Sequence, residues 1–141
     1  MSWQSYDLDR KAQKLVLNAL KREPKTLNQS YKMRMTCSYG LERFWGEHLR
    51  LQKKEPEKSI YWQETWDSLV EIMKKAQVEI PNDPVNVDSP TAIETMSKKL
   101  WDLDLDTQRI SLAVLTQLCD CIVWWTQRYK GRHSDIDEEE R

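Results

Sequence analysis

Residues 104–130 read DLDTQRISLAVLTQLCDCIVWWTQRYK, with apolar side chains at three- and four-residue steps over most of that length. Val114, Leu115, Leu118, Ile122, Trp125 and Tyr129 fall along one side of an α-helix, a stripe wide enough to pack on a core. This is the most apolar segment of the chain and is expected at the centre of a helical bundle. Gly131 is placed to end it. Trp124 lies ~100° around the helix from Trp125, so it is expected outside the stripe, free to anchor an interface.

Working back toward the N-terminus, Ser89-Pro90 joins a capping serine to a proline in the first turn and predicts a helix running to about Trp101. Asp102, Asp104 and Asp106 then gather carboxylates where the last helix begins, which favours the positive end of its dipole. Residues 78–88, VEIPNDPVNVD, hold two prolines and four Asn or Asp turn formers and read as a loop. Before it, a helix over 59–77 is expected to open at Ser59 and to turn Trp62, Trp66, Leu69, Val70 and Met73 to one side.

The N-terminal third predicts two more helices. The first covers 7–22, capped by Asp7, with Leu8, Ala12, Leu15, Val16, Ala19 and Leu20 inward and Arg10, Lys14 and Lys21 outward. Glu23-Pro24 breaks it, and a long second helix follows from Thr26 or Leu27 to Gln52, with Pro56 stopping the chain again. No convincing strand pattern interrupts this series. The expected fold is all-α: a single-domain bundle of about five helices over residues 1–131, followed by an acidic tail, 132–141, too poor in apolar residues to fold.

The long second helix carries a second message. Met33, Cys37, Leu41, Phe44, Trp45, His48 and Leu51 form its apolar side. Opposite them, Lys32, Thr36, Tyr39, Arg43, Gly46 and Arg50 fall within ~40° of one meridian. Cations spaced along one edge can follow consecutive phosphates, and a glycine lets a backbone or ribose come close. Residues 1–58 hold 13 Lys and Arg against 7 Asp and Glu, while residues 59–141 hold 9 against 16, so a formal net charge of -1 hides a strong asymmetry. One face is thereby suited to a polyanion, and copies could associate head to tail.

Other classes of chemistry lack their residues. There are only two histidines, one of them in the tail, and His48 falls on the apolar side, where a hydrogen-bonded core histidine is expected. No HExxH, glycine-rich phosphate loop or GxSxG is present. Cys119 and Cys121 sit ~200° apart on their helix and cannot ligate one metal together. With Cys37 they read as buried thiols of a reduced compartment. No apolar run reaches the ~18 residues of a membrane span, and MSWQSYDLDR is too polar for a signal peptide. A non-enzymatic, cytoplasmic protein without metal or cofactor is expected.

Three segments, LDRKAQKLVLNALKRE at 8–23, SYGLERFWGEHL at 38–49 and LDLDTQRISLAVLTQLCDCIVWWTQRYKG at 103–131, together resemble the small helical subunit of type III CRISPR effector complexes, the Cmr-branch version first and the Csm-branch version second. The shared pattern is an opening Arg-x-Ala helix, a Gly-Leu before an apolar stretch, matched by Gly40-Leu41, and a closing helix with Thr, then Trp, then basic residues, matched by Thr116, Trp124 or Trp125, and Arg128. The resemblance implies a non-catalytic bundle that stacks in several copies along the guide RNA and target RNA, beside a large polymerase-like subunit and backbone repeat subunits. It would place Lys32, Arg34, Arg43, Arg50, Lys53 and Lys54 on phosphates, with Arg128 and Lys130 as second candidates and Trp124 and Trp3 at protein interfaces. Specificity would rest on guide pairing. A helical protein-protein adaptor that never meets nucleic acid is the alternative, and exposed tryptophans favour it.

Overall fold

A computed structural model of the chain describes residues 5–130, so Trp3, Gly131 and the acidic segment 132–141 lie outside the described residues. Within them the fold is all-α, with six helices: α1 (Ser5–Arg22), α2 (Gln29–Thr36), α3 (Leu41–Leu51), α4 (Pro56–Lys75), α5 (Pro90–Trp101) and α6 (Leu105–Lys130). The cross-links fix their directions. Lys11 pairs with Glu71 and Arg22 with Glu64, so α1 and α4 are antiparallel. Gln13 donates to the Tyr129 hydroxyl at 3.1 Å, while Asn28 accepts from Lys130 at 2.8 Å, so α1 runs with α6 and the chain turns at its end. The α2 pairs Ser30 with Thr126 and Arg34 with Asp120 run against α6.

The expected second helix is two helices. Between them lies a 3-10 turn, Cys37–Tyr39, followed by Gly40 at φ 98° and ψ 175°. The local cause is a run of side chains that bond back onto the backbone: Thr36 to the Lys32 carbonyl at 2.7 Å, Cys37 to Met33 at 3.4 Å and Ser38 to Met35 at 2.9 Å. Such bonds compete with the helical ladder, and glycine alone takes the backbone angles that follow. The tertiary cause is burial. Once folded back, α2 packs on α6 and α3 on α4, so Met33 and Cys37 on one segment and Leu41, Phe44, Trp45, Leu49 and Leu51 on the other all reach the core.

This corner makes a test with opposite signs. Gly40→Ala should lower stability by about 1–3 kcal/mol through backbone strain alone, since a Cβ there would meet nothing within 4 Å. Gly46→Ala, inside α3 with only an ordinary contact at 3.7 Å to Glu42, should raise it by about 0.5–1 kcal/mol. Urea unfolding of both variants measures this. An uninterrupted helix would be stabilised at both positions, and that result would remove the corner.

The other boundaries follow capping chemistry. The Ser89 hydroxyl accepts from the Ala92 amide and Pro90 opens α5, as expected. Asp104 accepts from the Thr107 amide at 3.3 Å and from its hydroxyl at 2.6 Å at the start of α6. Pro56 does not stop a helix; it occupies the first turn of α4, and Ser59 sits inside, donating to the His48 carbonyl at 2.7 Å. Asp7 lies in the first turn of α1 rather than at its cap.

The core is aromatic. Phe44 lies 4.9 Å from Trp62 and 6.4 Å from Trp66, centroid to centroid. His48 is buried, with Nδ1 2.5 Å from the Trp45 carbonyl, and burial holds its pKa below the usual value, so the ring is neutral at pH 7. The 78–88 loop is anchored rather than loose: Gln52 donates to the Val85 carbonyl and accepts from the Val87 amide, Trp66 donates to Pro81, and Ile80 and Val85 are buried.

Candidate nucleic-acid interface

The fold-back at Gly40 rearranges the cations. On a continuous helix Lys32 and Arg50 would stand about 27 Å apart at 1.5 Å per residue. In the folded chain both act on one carboxylate. Glu55, at the turn between α3 and α4, pairs with Lys58 at 2.7 Å, and its carboxyl is held below the usual range first by that hydrogen bond and then by the charges of Lys58, Lys32 and Arg50. Cations from α2, α3 and α4 thus meet at one end of the bundle, with Lys53 and Lys54 beside them in the same turn. The straight basic meridian is corrected to a cluster.

Members of the expected set differ in how accessible they are to a phosphate. Lys32, Arg43, Lys54 and Arg128 are exposed and form no ion pair among the described residues. Arg43 lies over the Tyr39 ring at 5.4 Å, away from the cluster, on the α2–α3 corner. Arg50 is held by Glu47 at 2.9 Å, Lys53 pairs with Asp88, and Arg34 pairs with Asp120 at 2.5 Å, which raises the Arg34 pKa. All three are surface pairs, worth little and readily exchanged for phosphate. Gly46 offers no open approach either, since Glu42, itself bonded to Ser97 of α5 at 2.9 Å, stands 3.7 Å from the place of its Cβ.

Lys130 does not belong on this surface. It is only 9 % exposed, donates to Asn28 and lies 4.8 Å over the Tyr31 ring. Helical phase explains the error. The most deeply buried line of α6 continues from Ile122 to Thr126 and Lys130, with Trp125 and Tyr129 packed half-buried at the edge of the core, because the Thr126 hydroxyl meets Ser30 at 2.6 Å and Ser30 in turn meets Tyr61 at 2.6 Å. Burial raises the Tyr61 pKa well above the phenol value, so this buried set of three hydroxyls stays uncharged.

Trp125 is therefore half-buried, stacked on Tyr129 at 5.9 Å with the Arg128 guanidinium 4.5 Å over its ring. Trp124 is 63 % exposed, as expected. Hydropathy had not singled out Lys58 or Glu55 as site residues, although their three-residue spacing at a helix start was visible. The three thiols are unbridged: Cys37 and Cys119 are buried against each other, and burial, with the Asp9 carboxylate, pushes Cys121 up to about 12.

No helix among the described residues is long and apolar enough to cross a membrane. The chain matches no protein-family model, no curated protein and no solved structure.

Proposed function

We propose that this chain is a non-catalytic small subunit of a type III CRISPR RNA-guided effector complex, holding the backbones of guide RNA and target RNA against its basic helix ends and packing against copies of itself and larger subunits. The observation that carries the reading is the convergence of Lys32, Arg50 and Lys58 on Glu55. A mixed but cation-rich cluster of this kind suits phosphate oxygens and reads no base edge. The resemblance supplies the assembly. Its Arg-x-Ala falls in α1, with Arg10 exposed and Ala12 in the core, and its Gly-Leu forms the α2–α3 corner.

The adaptor reading rests on a different observation, the exposure of Met35, Tyr39, Trp101 and Trp124. It predicts partner capture without RNA.

Salt dependence separates the two. The isolated chain should bind single-stranded RNA weakly at low ionic strength, with log K falling against log salt at a slope of about -2 for three phosphate contacts at ~0.7 each. Oligonucleotides of equal length and different sequence should agree within a few fold. Fluorescence anisotropy across 20–200 mM salt is the measurement. No detectable binding at the lowest salt, or binding indifferent to salt, would sink the RNA reading in favour of the adaptor.

A further inference from the structure

Trp124, Trp125 and Arg128 of α6 and Asp9 of α1 line one open niche of about 260 Å³ on the side of the bundle where α1 and α6 run together. We propose that this niche takes an unpaired RNA base, stacked on the exposed face of Trp124, with its phosphate on Arg128 and an exocyclic amine on Asp9. The inference rests on the RNA reading above and adds to it a base-binding position distinct from the phosphate cluster.

Three features converge. Trp124 presents most of its ring to solvent, and a flat indole beside a cation is the kind of platform on which single-stranded bases stack. Arg128 is held over Trp125, which fixes its guanidinium at the rim, and it forms no ion pair among the described residues, so its N–H groups remain available to a phosphate. Trp125 is itself backed by Tyr129, whose hydroxyl accepts from Gln13, so the platform is braced against α1.

Asp9 gives the niche its selectivity. A carboxylate accepts hydrogen bonds and donates none, so it favours bases with an exocyclic amine over uracil, whose single N3–H is flanked by two carbonyl oxygens that the carboxylate repels. An alternative occupant is a lysine or arginine side chain of a partner protein, since indoles and a carboxylate also suit a cation. The placement of Arg128 argues against that, because an incoming cation would meet the guanidinium on the same rim.

The test uses the full chain at 20 mM salt and a 12-mer of oligocytidylate, the same length of oligouridylate, and an abasic ribose-phosphate 12-mer. Wild type should bind oligocytidylate at least tenfold tighter than the abasic chain and about threefold tighter than oligouridylate. Trp124→Ala should abolish the tenfold difference and Trp124→Phe should keep most of it. Asp9→Asn should remove the cytidine preference alone. Equal binding of oligocytidylate and the abasic chain, or no change in Trp124→Ala, overturns the niche while leaving phosphate binding in place. Absence of binding to every oligonucleotide overturns both readings. Quenching of Trp124 fluorescence by an oligolysine peptide and not by oligocytidylate overturns the niche in favour of a protein side chain.

Discussion

Trp62→Ala should lower the unfolding free energy by about 3–5 kcal/mol, the largest loss expected from any single substitution in α4. The ring is 1 % exposed, packs 4.9 Å from Phe44, and donates its indole N–H to Gln29 Oε1 at 2.9 Å. Truncation therefore opens a cavity between α3 and α4 and also leaves a buried carboxamide oxygen without its donor, two penalties that add. Small domains have only about 5–15 kcal/mol of stability in total, so the variant could fail to accumulate. Trp62→Phe guards against that outcome: it keeps most of the ring, loses the hydrogen bond, and should cost about 1–3 kcal/mol. Trp124→Ala, on the exposed side of α6, should stay within about 0.5 kcal/mol of wild type. Urea unfolding followed by far-UV circular dichroism orders the three. If Trp62→Ala and Trp124→Ala fall together, the aromatic core is not where the packing places it.

The stripes of α1, α4 and the first four turns of α6 were legible in the sequence because each helix turns one apolar side to the shared core, and a 3.6-residue period is enough to find that side. The caps of α5 and α6 were legible for a similar reason, since a serine or aspartate bonding three residues on needs no tertiary information. The break at Gly40 was not. Thr36, Ser38 and Gly40 are each tolerated within helices, and the decision between one long helix and two short ones rests on how much core the two halves reach after folding back. Likewise, hydropathy places Trp125 inward and Thr126 and Lys130 outward, whereas the structure does the reverse for the latter two because Ser30, Tyr61 and Asn28 arrive from distant segments to satisfy them. The cations were legible as residue types; their grouping depended on the corner, so it was not.

That grouping separates accessible from buried charge, and a pair of variants should show it. Lys32→Gln combined with Lys54→Gln removes two exposed cations that form no ion pair among the described residues, so the fold should keep its stability within about 1 kcal/mol. RNA affinity at low salt should drop at least tenfold, and the slope of log K against log salt should become shallower by about 1.4, two contacts at ~0.7 each. Lys130→Gln should do the opposite. Its ammonium is buried against Asn28 and Tyr31, so the loss falls on the packing of α6 against the turn before α2, about 1–3 kcal/mol, with the salt slope unchanged. Both measurements are made on the same preparations, thermal or urea unfolding alongside anisotropy across 20–200 mM salt. An unchanged slope in the Lys32/Lys54 variant would remove the cluster from the RNA path. A changed slope in Lys130→Gln, without loss of stability, would return the end of α6 to the surface, and with it the straight basic face that the folded chain replaces.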